Sequence, residues 1–402
     1  MPTEGLSTRA LGAKALHRVL AEGAYSNIVV SNQKTSPSLD RGLYQRLVFE
    51  TLRYLPSIDE AIAGATSRPI DRIQDDVLSV LRIGTAELRY LRRPAHSAVS
   101  QSVEAVRELG RHRAAGFVNG VLRTIARRVD EPVPSDVYAG MPQWLYERLT
   151  SVFGDETDAF IAASNTPPRT GIRSRDGLDR GSATGVAGTG YVRHDTTVGA
   201  LAAANAIDII DPASVAVVDA LDVATGARVA DLAAAPGGKT RIIAERCEPN
   251  GLVVACDVHQ RRLTSARKRS GTLTNTIWVV ADATAPPFQD ASFDRVLLDA
   301  PCTGIGTLRR RPEIRHRIDP GSSARLGEIQ RRMLIEALRI VRPGGRLVYS
   351  VCTVFPQETV EVIAGLGASR PETAIGEPWG DGVLLAPHTT GTDGMFIATF
   401  DR

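Results

Sequence analysis

The sequence predicts a multi-domain chain: an all-α N-terminal domain followed by an α/β domain built on a mostly parallel, doubly wound sheet. Three observations predict it. Residues 5–130 repeat apolar side chains at three- and four-residue intervals with few strand signals. From about residue 215 short apolar runs alternate with stretches of helical spacing, the pattern of a parallel sheet covered on both faces. Between them the composition turns to glycine, serine and threonine.

The elements follow in order. In DDVLSVLRIGTAELRYLRRP, Leu78, Leu81, Leu88 and Leu91 make one apolar helical face, and Pro94 stops the helix. HSAVSQSVEAVRELG repeats the pattern with Val99, Val103 and Val106, and Gly110 suits a C-terminal cap. AAGFVNGVLRTIARRV supplies a further helix rich in small residues. DEPVPSD (130–136) reads as a linker, PQWLYERLTSVFG as a short amphipathic helix, and TPPRTGIRSRDGLDRGSATGVAGTG as a flexible loop. The expected division is a helical domain at 1–135, a linker and small α/β subdomain at 136–214, and the α/β domain at 215–402.

In that last domain RVADLA (228–233), GLVVACD (251–257), TIWVVAD (276–282), RVLLDA (295–300) and GRLVYSV (345–351) read as strands. GGKTRIIAERC, HQRRLTSARKRS and IQRRMLIEALRIV read as the helices between them. Ligands of such sheets bind beyond the carboxyl ends of the strands.

Composition narrows the class. Hydrophobic content of 43% and charged content of 23% suit a soluble globular protein. No apolar window is long enough to cross a bilayer, and the arginine-bearing N-terminus lacks a signal-peptide core, so a cytoplasmic protein without membrane contact is expected. The four cysteines form no CxxC pair, which argues against a zinc knuckle or thioredoxin motif and for free thiols, and no metal is expected. The net charge of +3 is small, but LRRRPEIRHR (308–317) sets five arginines against Glu313. By charge alone that run is a solvated loop.

DLAAAPGGKT (231–240) leaves a strand and enters a helix through two glycines. A phosphate-binding P-loop would need glycine where Ala233 stands, and GxGxxG is missing. What remains is a tight turn whose amides can hold a small ligand. Asp257 ends the next strand nineteen residues after Gly238, close to the spacing at which a carboxylate accepts ribose hydroxyls. Asp282 ends the third strand and could hold an adenine amino group, and Asp299 ends the fourth. Counting Asp231, four acids stand at successive strand ends. They suit a cofactor with a ribose, an adenine and a positive centre, S-adenosyl-L-methionine.

Two of the four cysteines, in DAPCTGIG and YSVCTVF, also stand at strand ends, each followed by threonine. DLAAAPGGKT, DAPCTGIGTLRRRPEIRHR and YSVCTVFPQE together resemble the RNA cytosine-5 methyltransferases of the NOL1/NOP2/Sun group. DRGLYQRLVFETLRY, RPAHSAVSQSVEAV and AAGFVNGVLR resemble the NusB-like RNA-binding domain of a bacterial ribosomal RNA branch of that group. The resemblance spans nearly the whole chain and is weakest across 165–210. It departs at Ala233, where cysteine is usual, at Ile210, where glutamine is usual, and at Thr359-Val360, where asparagine-glutamate is usual.

The resemblance implies a NusB-like domain followed by a Rossmann-like methyltransferase domain. It implies a cofactor site at Ala233, Ala234, Ala235, Pro236, Gly237, Gly238, Lys239, Asp257, Asp282 and Asp299. Its chemistry would be covalent. Cytosine C5 is a weak nucleophile until a thiolate adds at C6. In enzymes resembling this chain the later cysteine is that nucleophile, here Cys352, while Cys302 assists product release. Carrying both points to RNA rather than DNA. Asp299 would hydrogen-bond cytosine N3 and the exocyclic amine, which needs a raised pKa, and Lys239 would help order the loops.

Arg309, Arg310, Arg311, Arg315 and Arg317 would grip RNA phosphates beside a flipped base. Arg89, Arg92, Arg93, Arg107, Arg111 and Arg113 would add RNA surface. The expected substrate is small-subunit ribosomal RNA, methylated to 5-methylcytosine by a monomer. Transfer RNA is an alternative substrate, and a non-catalytic NusB-like RNA-binding or antitermination factor is an alternative role. Intact Cys302, Cys352 and Asp299 favour the enzyme.

Overall fold

The packing of the chain divides it at a place other than the one composition suggests. The computed structural model describes residues 6–33, 39–175, 181–192, 198–271, 273–373 and 375–402. One unit comprises Met1–Asp155 with Arg310–Arg317, and the other Glu156–Arg309 with Ile318–Arg402. DEPVPSD is therefore not a free linker. Arg89 donates to Asp136 and to the Glu131 carbonyl, and Arg92 pairs with Asp130.

The first unit holds α1 (Thr8–Leu20), α2 (Ser26–Ser31), α3 (Arg41–Arg53), α4 (Leu55–Ala63), α5 (Asp75–Arg89), α6 (Ala95–Glu108), α7 (Ala115–Arg127) and α8 (Gln143–Phe153). Ser7 and Asp40 cap α1 and α3 by accepting from the Ala10 and Leu43 amides. Pro94 marks the start of α6 rather than the end of the helix before it, since α5 already stops at Arg89. The predicted faces meet in one core containing Leu16, Leu47, Leu81, Val106 and Leu122, all fully buried. Inside it the Arg9 guanidinium grips Glu87 through two 2.8 Å hydrogen bonds, so this buried charge is paired in bidentate geometry.

The second unit begins with α9 (Thr157–Asn165) and a small antiparallel sheet of β1 (Gly171–Ser174), β2 (Gly181–Ala183), β3 (Thr189–Val192) and β4 (Ile207–Ile209), in the order β2-β3-β1-β4. The stretch expected as one flexible loop thus contributes β1, β2 and the start of β3, and its residues 176–180 lie outside the described ones. Strands this short, interrupted by glycine, leave no alternating pattern long enough to read.

After α10 (Val198–Ala203) and α11 (Pro212–Leu221) come β5 (Arg228–Asp231), α12 (Gly238–Cys247), β6 (Leu252–Asp257), α13 (Gln260–Ser270), β7 (Thr276–Val280), β8 (Phe293–Asp299), α14 (Ser322–Ile340), β9 (Val341–Val351), α15 (Val360–Ile363), β10 (Glu377–Trp379), β11 (Gly382–Leu385), α16 (Pro387–Thr390) and β12 (Met395–Asp401). They form an eight-stranded sheet ordered β10-β11-β12-β9-β8-β5-β6-β7. The five strands expected from the sequence are parallel to one another, and β10 to β12 add an antiparallel edge. The chain runs outward from β5 to β7, then returns to place β8 on the other side of β5. Strand order reverses there, which opens a crevice at the carboxyl ends of β5 and β8.

Candidate active site

The glycine turn is braced from below. Asp231, the last residue of β5, is buried and accepts from Thr240 Oγ1 at 2.6 Å, tying the strand end to the first turn of α12. Burial pushes its carboxyl up to about 6, against the pull of the Thr240 bond, and its Oδ1 is buried without a hydrogen-bond partner. Gly237 adopts φ +101°, a conformation costly for residues with a Cβ, and a Cβ there would stand 2.7 Å from Ser270 Oγ of α13. The turn therefore lies close against α13. Ala234, Ala235 and Gly237 are buried, Ala233 and Lys239 half-buried, and Pro236 and Gly238 exposed at the α12 N-terminus.

The expected acids occupy different environments. Asp257 is buried and accepts from the His259 amide at 2.8 Å, with Arg262 Nη1 3.8 Å away. Asp282 is exposed and accepts from the Thr284 amide and hydroxyl, bonds that hold its carboxyl below the ordinary value. Beside them Val258 and Val280 leave about half their surfaces exposed at the ends of β6 and β7. Exposed apolar side chains next to carboxylates at the strand ends fit the apolar base and ribose of an adenosyl group.

A chain of contacts runs from the turn to the cysteines. Lys239 Nζ lies 2.7 Å from Asp299 Oδ2, and Ser350 Oγ lies 2.8 Å from Asp299 Oδ1. Burial lowers the Lys239 ammonium, but Asp299, the Cys352 sulfur and Asp231 together leave it raised. Two residues beyond Ser350, Cys352 Sγ lies 3.2 Å from Cys302 Sγ. The hydrogen bond to Cys352 and burial together push the Cys302 thiol well up. The protonated form of Cys302 is therefore favoured beside Cys352. The loop after β8 is pinned across the site, because Gly306 donates to the Cys352 carbonyl and accepts from the Gly394 amide.

The arginine run is elsewhere employed. Arg309 is buried and donates to the carbonyls of Gly391 and Thr392. Arg310–Arg317 belongs to the helical unit. There the fully buried Arg315 donates to the carbonyls of Arg53 and Gly140, and His316 Nε2 lies 2.7 Å from the Leu52 carbonyl, so the two close the C-terminus of α3. Glu313 caps Ser26 at the start of α2, and Arg317 donates to Val19 and Ala24 while covering the Tyr25 ring. The expectation that this run grips phosphates is therefore corrected for Arg309 and Arg315, whose donors are committed to backbone carbonyls away from solvent. Arg310 and Arg311 are half-buried and Arg317 is exposed. In the helical unit Arg107 and Arg111 pair with Glu104 and Asp76, Arg93 lies 4.0 Å from Glu87, and Arg113 is exposed.

Sequence reasoning missed Ser350, Gln330 and Glu358. Ser350 had a signal, since it faces Asp299 in the parallel register of β8 and β9. Among the described residues no group of His, Cys, Asp and Glu could hold a metal ion, and no helix is long and apolar enough to cross a membrane.

Residues 218–401 match a family described as 16S rRNA methyltransferase RsmB/F, and residues 6–127 match the NusB family. A Bacillus subtilis (strain 168) protein described as "Probable ribosomal RNA small subunit methyltransferase B" is 31% identical, covering 98% of this chain and 99% of its own. The "Ribosomal RNA small subunit methyltransferase B" of Serratia proteamaculans (strain 568) is 30% identical over 97% of both chains. Among solved structures, that of PH0851 aligns over 99% of both chains with a TM-score of 0.81 at 23% identity. That of NSun6 from Pyrococcus horikoshii with SFG covers 64% of this chain with a TM-score of 0.54 at 20% identity.

Proposed function

The chain belongs to the 16S rRNA methyltransferase RsmB/F family, and from that premise we propose that it methylates C5 of a cytosine in small-subunit ribosomal RNA through a covalent adduct at Cys352. S-adenosyl-L-methionine, held at the glycine turn with Asp257 and Asp282, would supply an electrophilic methyl group. The observation that carries the reading is the 3.2 Å separation of Cys302 and Cys352, linked through Ser350, Asp299 and Lys239 to that turn.

The residues divide the work. The Cys352 thiolate adds to C6 of a base flipped out of its stack, and the displaced electron pair makes C5 nucleophilic. Lys239, positively charged beside the Cys352 sulfur, favours the thiolate. Asp299, fixed by Lys239 and Ser350, would receive the cytosine amino edge. After methyl transfer C5 loses its proton to a base, the C5–C6 double bond re-forms, and the carbon–sulfur bond breaks with its electrons returning to Cys352. Cys302, still protonated, hydrogen-bonds that departing thiolate and makes it a better leaving group.

Tritiated methyl transfer to unmodified small-subunit ribosomal RNA, followed by nucleoside analysis, tests the reading. The expected product is 5-methylcytidine. A label on N4 or on a ribose oxygen overturns the reaction class, and labelling of transfer RNA alone overturns the substrate.

A further inference from the structure

Each cysteine of the pair is followed by a threonine, and both threonines reach one buried carboxylate. Thr303 donates to Glu358 twice, from its amide to Oε1 at 2.8 Å and from its hydroxyl to Oε2 at 2.6 Å. Thr353 Oγ1 lies 3.1 Å from the same Oε2, and the two threonine hydroxyls stand 2.8 Å apart. Gln330 completes the set, donating from Nε2 to Glu358 Oε1 at 3.1 Å and to the carbonyl of Pro301 at 2.8 Å. The residues on either side of Cys302 are thus tied to Glu358 and its partner Gln330, and so is the residue after Cys352. The hydroxyl of buried Tyr349 lies 2.7 Å from the Glu358 carbonyl and 3.0 Å from Gln330 Oε1, which fixes the orientation of both.

We propose that Glu358 is a positioning residue, whose fully buried carboxylate grips the two Cys-Thr loops and thereby sets the spacing of the Cys302 and Cys352 sulfurs. The proposal rests on the reading that these thiols act as a pair. Glu358, Gln330 and Thr353 are fully buried and Thr303 nearly so. A carboxylate in such surroundings is costly unless its lone pairs are filled, and here four donors fill them. Hydrogen bonds to a charged acceptor are about twice as strong as neutral ones, so the loops are held tightly. Residues 301–304 and 353–355 lie outside helix and strand, so no regular backbone ladder fixes the sulfurs. A misplacement of about 1 Å at reacting atoms costs on the order of 10²-fold in rate, which is why a brace matters there.

The test uses the full-length protein and no RNA. The azo oxidant diamide takes two electrons and two protons from the Cys302 and Cys352 thiols, forming their disulfide and becoming the hydrazine. The rate of that closure, followed by peptide mass mapping, reports how well the sulfurs are aligned. Glu358→Gln and Thr303→Val are expected to slow closure by about tenfold or more, and Thr303→Ser, which keeps the hydroxyl, to restore it. Thermal unfolding is measured in parallel. If Glu358→Gln does not fold, Thr303→Val against Thr303→Ser decides. Cooperatively folded Glu358→Gln or Thr303→Val proteins that close at the wild-type rate overturn the proposal, as does failure of Thr303→Ser to rescue. Closure requires no methyl transfer, so a protein that makes no 5-methylcytidine yet closes as described sinks the proposed reaction and leaves the brace standing.

Discussion

Cys247 and Cys256 differ from Cys302 and Cys352 in place, not in kind. Cys247 ends α12 and Cys256 lies within β6; both are buried, and burial pushes their thiols up to about 11 and about 12. A sulfur so placed stays a thiol and acts as a small apolar side chain. Cys302 and Cys352 stand just past the carboxyl ends of β8 and β9, partly exposed and within hydrogen-bonding distance of each other. In the proposed mechanism reactivity follows from position at a strand end and from a second sulfur within hydrogen-bonding distance.

That contrast can be broken by measurement. Cys352→Ala is expected to lower methyl transfer by about 10⁴-fold or more, the scale on which loss of a covalent nucleophile acts, while Cys247→Ala and Cys256→Ala leave the rate unchanged. Replacing Lys239 with methionine removes the ammonium beside Asp299 and the Cys352 sulfur. Single-turnover methyl transfer should then fall by about 10²–10³-fold, with cooperative unfolding retained.

Asp231 sharpens the comparison through pH. Its folded value, about 6, lies above the ordinary 3.8, so the fold holds this proton more tightly than the unfolded chain does. The stability it contributes is present below about pH 4 and is lost as pH rises through about 6. Asp231→Asn keeps an acceptor for Thr240 and escapes that loss. Urea unfolding should show the variant gaining on wild type across this window, by up to about 3 kcal/mol.

Arginines obey the same rule of place over type. Arg315→Met should destabilise the helical unit by about 2 kcal/mol, because the Arg53 and Gly140 carbonyls lose a charged donor. It should leave the salt dependence of RNA binding unaltered, whereas a phosphate contact would reduce the slope by about one. The smallest effect belongs to Cys256→Ala, about 1 kcal/mol of stability from the cavity it leaves.

These cases show what the sequence makes legible. The continuous apolar runs at 228–233, 251–257 and 345–351 could only be strands covered on both faces, so the parallel sheet and its strand-end residues could be read directly. The motif around Cys302 and Cys352 carried the pair. Burial was not legible where it depends on acceptors far away in the chain. Five arginines in nine residues read as a phosphate-binding arm, yet Arg315 is taken up by carbonyls at 53 and 140 that no local pattern announces. The short strands at 171–209 and the antiparallel edge at 377–401 lie too close to glycine and proline for a period to emerge. Glu358 reads as one acid in a polar turn, and its partners Thr303, in the loop after β8, and Gln330 of α14 are distant in sequence.

The most direct test of the central claim compares Cys302→Ala with Cys352→Ala on unmodified small-subunit ribosomal RNA, scoring covalent protein–RNA complex by denaturing gel. The Cys302→Ala protein should accumulate the complex, because its adduct forms but leaves slowly, and the Cys352→Ala protein should form none. Complex formation by Cys352→Ala, or its absence from both variants, would contradict the assignment of Cys352 as nucleophile and Cys302 as the group that frees it.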